Sequence, residues 1–90
     1  MKKTSRELER IVKGFANHRR LQILELLGKR AELSVMEIAQ IVKSDIKNVS
    51  AHVNKMAIAG LIMKRHEENF VRHKLTKRGK SILQFVRILE

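Results

Sequence analysis

The chain contains neither cysteine nor proline among its 90 residues. Without cysteine it can form no disulfide framework, no thiolate metal site and no cysteine nucleophile. It also has no glycine- or serine-rich stretch that would indicate a linker, and 90 residues suit one domain. We therefore expect a single domain over residues 1–90.

Aromatic residues and long apolar runs are also scarce. Tyrosine and tryptophan are absent and only three phenylalanines are present, so the chain lacks the stacking platform of single-stranded nucleic-acid binders. The longest apolar run, from Met56 to Met63, is far too short to span a bilayer. No apolar stretch follows Lys2 and Lys3, as a signal peptide would require. These features predict a cytoplasmic protein without a membrane partner.

Acidic residues are the third shortage. Nine Asp and Glu stand against twenty Lys and Arg, which gives a net charge of +11 and a sequence pI near 10.8. A chain this basic is expected to bind an anionic partner, and nucleic acid is the first candidate. The few carboxylates are scattered, and there is no glycine-rich phosphate loop or nucleophile elbow. The sequence therefore predicts a binding protein and no enzyme.

Hydrophobic periodicity predicts five helices, each preceded by a residue that can cap its first turn. These caps are Thr4, Asn17, Ser34, Asp45 and Thr76. A glutamate three positions after Thr4, and another after Ser34, completes a capping box at each site. The second helix is apolar on most of its circumference, so we expect it to be the central, most buried element.

Between the fourth and fifth helices the period changes to that of strands. Leu61–His66 and Phe70–Leu75 predict a two-stranded hairpin, with Asn69 as the left-handed residue of its turn. Phe70 is expected to pack this hairpin against the body, and Gly28 to end the second helix. The predicted fold is mainly α with a small β-hairpin: a winged helix-turn-helix of five helices and a two-stranded wing.

The third and fourth helices are short, adjacent and joined by few residues, as in a helix-turn-helix, whose second helix enters the major groove of DNA. Val49, Val53 and Met56 are expected to face the core. The residues assigned to the outward face and its flanks are Lys47, Asn48, Ser50, Ala51, Asn54 and Lys55. Lysine can donate to guanine and asparagine can pair with adenine, so this face predicts contacts to base edges.

Several segments resemble ArsR-type winged-helix repressors. They are Phe15–Leu27 for the second helix, Glu32–Ala39 for the third, and Val49–Val53 with Ala59–Ile62 for the recognition helix and its exit. Leu75-Thr76-Lys77-Arg78-Gly79 is similar to the end of the wing in MarR-type regulators. The resemblance implies a DNA-binding transcriptional regulator that dimerises through its terminal helices.

The sequence departs from the family pattern at informative positions. Ser34 and Met36 stand where metal-sensing members carry thiolates, so no metal sensing and no cofactor are expected. Ala51 stands where the family commonly has arginine, and we expect Lys47 to take over part of that contact. The wing tip is acidic at 67–68, which disfavours insertion of the tip into a groove. The wing residues predicted to contact phosphates are Lys64, Arg65 and Arg72.

The four histidines lie in separate elements without the spacing of metal ligands. We interpret them as structural or surface residues.

A domain of this size buries a limited core, and the terminal helices carry apolar stripes that it would not fully cover. We predict that these stripes form a homodimer interface, made by Leu8, Ile11, Val12, Phe15, Ile82, Phe85, Val86 and Leu89.

The sequence thus predicts a homodimeric regulator, most simply a repressor, that binds double-stranded DNA sequence-specifically. Two alternatives remain open. One is a winged-helix interaction module that uses its basic face on an acidic protein, and the other is a sequence-independent architectural DNA binder.

Overall fold

A computed structural model describes residues 2–90. It contains five helices and one antiparallel hairpin, as the sequence predicts. The helices are α1 (Ser5–Lys13), α2 (His18–Lys29), α3 (Val35–Val42), α4 (Ile46–Ile58) and α5 (Lys77–Ile88). The hairpin consists of β1 (Ile62–Glu67) and β2 (Phe70–Leu75), paired from Ile62 opposite Leu75 to Glu67 opposite Phe70.

All five predicted caps are confirmed. Thr4 and Ser34 form complete capping boxes with the glutamates three residues later. Asn17 accepts hydrogen bonds from the backbone N–H groups at 19 and 20, Asp45 accepts one from position 47, and Thr76 one from position 79. Each cap satisfies donors that the first turn of a helix leaves unpaired, which fixes where the helix begins.

Helix α2 lies at the centre, as expected. It contacts α3, α4, α5 and β2, and its Ile23, Leu24 and Leu27 are buried. Helix α4 contributes Val49, Val53 and Met56 to the same core; the other large members are Leu33, Ile38, Leu61, Ile62, Leu75 and Leu83.

The role predicted for Gly28 is wrong. Helix α2 continues through it to Lys29, and Arg30 is the C-cap. A Cβ on Gly28 would stand 2.3 Å from Cδ2 of Leu83, so the missing side chain makes room for α5. Glycine at this position serves close helix packing and does not end the helix.

Two predictions about the hairpin are also wrong. The left-handed residue of the turn is Glu68, with φ of +38°, and not Asn69. Phe70 does not pack the hairpin against the body, because 54% of its surface is exposed and the Arg72 guanidinium lies 5.3 Å from its ring centroid. The hairpin is attached instead through Ile62 and Leu75, which lie in the core, and through backbone: His73 N–H donates to the Leu33 carbonyl, and Glu32 N–H donates to the His73 carbonyl.

His73 is the one buried polar or charged side chain among the described residues. Its Nδ1–H donates to the Leu33 carbonyl oxygen at 2.9 Å. Burial lowers the pKa of His73; the hydrogen bond to Leu33 opposes this change, and the nearby positive charges of Lys64 and His66 add to it.

This burial predicts that acid destabilises the fold. Because the pKa of His73 is lower in the folded chain than its ordinary value of about 6.5, the unfolded chain binds the proton more readily. The stability is fully present above pH 6.5 and is lost as the pH falls through the folded pKa. Urea unfolding between pH 7.5 and 5 should show this loss. His73→Asn keeps a donor without titrating and should make the profile less steep, leaving the part that His52 contributes. An equally steep profile in the variant would contradict the assignment.

Candidate nucleic-acid interface

The helix-turn-helix is formed by α3, a three-residue turn and α4. Lys43 ends α3 in the left-handed conformation, with φ of +54°. The backbone N–H groups of Lys43 and Ser44 both donate to the Ala39 carbonyl, and Arg19 Nη1 donates to the Val42 carbonyl at 2.9 Å. All three hydrogen bonds are accepted by carbonyls in the last turn of α3, so they fix where α3 ends and the turn begins.

Helix α4 has the two faces that the sequence predicts. Val49, Val53 and Met56 are fully buried. The side chains on the opposite face are exposed, namely those of Lys47, Asn48, Ala51, Asn54 and Lys55, while Ser50 on the flank is half-buried. No acidic side chain lies on this face between Asp45 and the end of the helix. The exposed surface is therefore small, amide-bearing and positive.

The wing lies beside this face. Cross-strand partners in an antiparallel pair project from the same side of the hairpin, so Lys64 shares a side with His73, and Arg65 shares the other side with Arg72. Lys64 Nζ donates to Asn54 Oδ1 at 2.6 Å, which connects the wing to α4.

Arg65 and Arg72 are both engaged by carboxylates. Arg65 contacts Glu32 at 2.6 Å and Glu67 at 2.5 Å, and Arg72 contacts Glu37 at 3.3 Å. Two arginines directly opposite each other would repel, so the three glutamates offset a destabilising pair. The Arg65 guanidinium holds the pKa of Glu32 below its ordinary value through its hydrogen bond.

These contacts give the wing arginines a structural role that sequence reasoning missed. Glu32 and Glu37 are 33 and 35 residues away from the arginines they contact, and no local pattern signals such a pair. Glu67 is not a free negative charge at the wing tip, since it is paired with Arg65. Contacts of Arg65 and Arg72 with phosphate stay a prediction; Lys64 differs from them in having only an uncharged partner.

A second contact that sequence reasoning missed fixes the flank of α4. Arg20 Nε donates to His52 Nδ1 at 3.1 Å, and Nη1 of the same guanidinium donates to the Lys13 carbonyl. Desolvation lowers the pKa of His52, and the adjacent Arg20 charge lowers it further. His52 therefore accepts a hydrogen bond as a neutral ring and links α4 to α2.

The residues predicted for a dimer interface divide into two groups. Ile11, Phe15, Ile82 and Val86 pack partly against the core of their own chain, and Leu8 is half-buried. Val12, Phe85 and Leu89 are exposed, to 49%, 51% and 69%. Ile88, which the prediction omitted, is 80% exposed beside them.

No helix among residues 2–90 has the length and apolar content needed to cross a membrane. In the same range, no three histidine, aspartate or glutamate side chains lie close enough together to hold a metal ion.

Comparison with known proteins places this geometry in a family. The family model described as HVO_A0114 matches residues 16–76. HlyU from Vibrio cholerae is 31% identical, with 99% of this chain and 97% of that chain covered and a TM-score of 0.83. The chain belongs to the ArsR-type winged helix-turn-helix regulators. No curated protein matches it.

Two other solved structures share the fold. Mb0332 from Mycobacterium bovis, a possible ArsR-family regulator solved as a homodimeric DNA-binding domain, is 25% identical. The match covers 99% of this chain and 88% of the Mb0332 chain, with a TM-score of 0.83. The transcriptional repressor PagR of Bacillus anthracis is 23% identical, with 90% of this chain and 93% of PagR covered and a TM-score of 0.79. At that identity the likeness shows the shared fold alone. By their names, both are regulators of transcription.

Proposed function

We propose that residues 1–90 form one ArsR-type domain that binds double-stranded DNA sequence-specifically as a homodimer and represses transcription. The observation that carries the proposal is the division of α4: its valines are fully buried while its lysines and asparagines face outward. An exposed helix face bearing such side chains can approach base edges in the major groove. The net charge of +11 supplies the attraction to phosphate.

Each side chain of this face has a separate role in the proposal. Lys47, Asn48, Ser50 and Asn54 read base edges, and Ala51 leaves room for close approach. Lys55 and Lys64 contact phosphates or the bases next to them. Arg65 and Arg72 hold the wing through their carboxylate partners and present their remaining N–H groups to the backbone of the DNA.

The exposed apolar side chains of α5 support the homodimer. Apolar surface is left uncovered at both terminal helices: by Val12 on α1, by Phe85 and Ile88 on α5, and by Leu89 at the C-cap of α5. Closed twofold pairing would bury this surface and place two recognition helices about 34 Å apart, one turn of DNA. The Mycobacterium bovis relative is a homodimer, which supports a dimeric state for this chain.

Selection from random duplexes at two salt concentrations tests the proposal. We expect a roughly palindromic consensus, with affinity that falls steeply as salt rises. Steep salt dependence without a consensus would instead support the architectural binder. Tight binding to an acidic protein without duplex binding would support the interaction module.

The dimer interface has its own prediction. Phe85→Glu should convert a dimer into a monomer, because it would bury a carboxylate in each half of a twofold interface. Light scattering of the purified protein measures the mass directly. Gln84→Glu adds the same charge at the neighbouring exposed position and should leave the dimer intact. A Phe85→Glu variant that remains dimeric would contradict the assignment of α5 to the dimer interface.

A further inference from the structure

Asn54 and Lys64 form the one side-chain hydrogen bond between the recognition helix and the wing within the described residues. Lys64 Nζ lies 2.6 Å from Asn54 Oδ1, and both residues are exposed. None of the ion pairs formed by residues 2–90 includes Lys64. The ammonium group is therefore held at the outward face of α4 without being neutralised.

This contact fixes the orientation of the Asn54 amide. The lysine ammonium carries three donors and no acceptor, so the amide atom that faces it must be the oxygen. The Nδ2 group, with its two N–H donors, then points away from Lys64. An isolated asparagine can offer one donor and one acceptor side by side, but here the ammonium already takes one of the two lone pairs of the amide oxygen.

The two side chains together present several donors beside one amide oxygen that is already hydrogen-bonded. Asn54 offers its Nδ2–H groups and Lys64 its remaining N–H groups, next to each other on one surface. In the major groove, guanine alone presents two adjacent acceptors, N7 and O6. Adenine presents an acceptor beside the N6–H donor, and that donor would have to share the amide oxygen with the positively charged Lys64 ammonium, which repels it.

We propose that Asn54 and Lys64 act as one donor unit that selects guanine, and that Lys64 on the wing thereby sets the base preference of the recognition helix. The inference rests on the proposed function, because it assumes that α4 reads DNA. It departs from the usual behaviour of asparagine, which pairs bidentately with adenine through its amide oxygen and nitrogen.

The test compares the sequences selected from random duplexes by four proteins. Asn54→Ala identifies the base pair that Asn54 reads, because the variant should lose its base preference at that position. At that base pair the unchanged protein should favour guanine over adenine on the order of tenfold. Lys64→Met frees the amide oxygen and should move the preference to adenine. Lys74→Met makes the same change on the other side of the hairpin and should keep guanine.

The outcomes separate this inference from the proposed function. Adenine at the Asn54 position in the unchanged protein, or guanine retained by Lys64→Met, would overturn the inference while the consensus leaves sequence-specific binding in place. The inference would also be overturned if Asn54→Ala selected the same consensus as the unchanged protein, with no loss of base preference at any position. The absence of any consensus would overturn both.

Discussion

Val49→Asp is expected to abolish the cooperative fold. The Val49 side chain lies on the buried face of α4 and is fully covered by the core. Among residues 2–90, no buried lysine or arginine is available to pair with a carboxylate there. Burying an unpaired charge is among the few changes that exceed about 4 kcal/mol, and the whole stability of a small domain is about 5–15 kcal/mol. Urea unfolding followed by circular dichroism should lose its sigmoidal transition.

Ala51→Asp is the matched control for this change, since it introduces the same side chain on the exposed face of the same helix. It should alter stability by no more than about 0.5 kcal/mol. It should weaken duplex binding, because it places a negative charge on the proposed reading surface. An unchanged melt for Val49→Asp would show that α4 does not face the core as described.

Gly79→Ala is expected to destabilise the domain, which reverses the usual effect of this substitution in a helix. A Cβ at position 79 would lie 2.2 Å from the Leu61 carbonyl oxygen. That oxygen accepts a hydrogen bond from Thr76 N–H, so it cannot move without breaking the junction between β2 and α5. Helix propensity favours alanine by about 1 kcal/mol, but overpacking against backbone costs about 1–3 kcal/mol and should prevail.

Chemical denaturation of the two proteins measures this difference. Ser81→Ala, at an exposed position of the same helix, should leave stability within about 0.5 kcal/mol of the unchanged chain. A Gly79→Ala variant as stable as the unchanged protein, or more stable, would contradict the close approach of α5 to Leu61.

The sequence predicts the elements of this fold well because their signals are local. Each cap lies within three residues of the donors it satisfies, as Asn17 and Thr76 show. The burial of Val49 and Val53 follows from their spacing along one helix. Both kinds of signal can be read without knowing where any other element lies.

Features that depend on two distant elements could not be predicted. From the sequence alone, Gly28 is expected to mark the end of α2. Its actual role, to avoid a clash between a Cβ and Leu83 of α5, becomes visible only when the position of α5 is known. The pairing of Arg65 with Glu32, and of Lys64 with Asn54, likewise depends on how the wing folds back on the body. The exposed face of α4 could therefore be predicted from the sequence, while the partners of the charged residues beside it could not.

Residues with left-handed backbone conformation could not be predicted from residue type either. Asparagine and glycine adopt positive φ most readily, yet Glu32, Lys43 and Glu68 adopt it here. At Glu32 and Lys43 the conformation is imposed by backbone hydrogen bonds, to His73 at the first and to Ala39 at the second. Residue propensity is overridden at Glu32 by a tertiary contact, and at Lys43 by the hydrogen bond that ends α3.

The most direct test of the central claim is the affinity of Lys47→Ala for the selected duplex and for a scrambled one, measured by fluorescence anisotropy. Lys47 lies exposed in the first turn of α4, whereas Lys80→Ala removes the same charge from α5. If α4 reads bases, Lys47→Ala should bind the selected duplex on the order of tenfold more weakly and lose part of its preference over the scrambled one. Lys80→Ala should keep that preference. Equal affinity and equal preference for Lys47→Ala and the unchanged protein would contradict the claim.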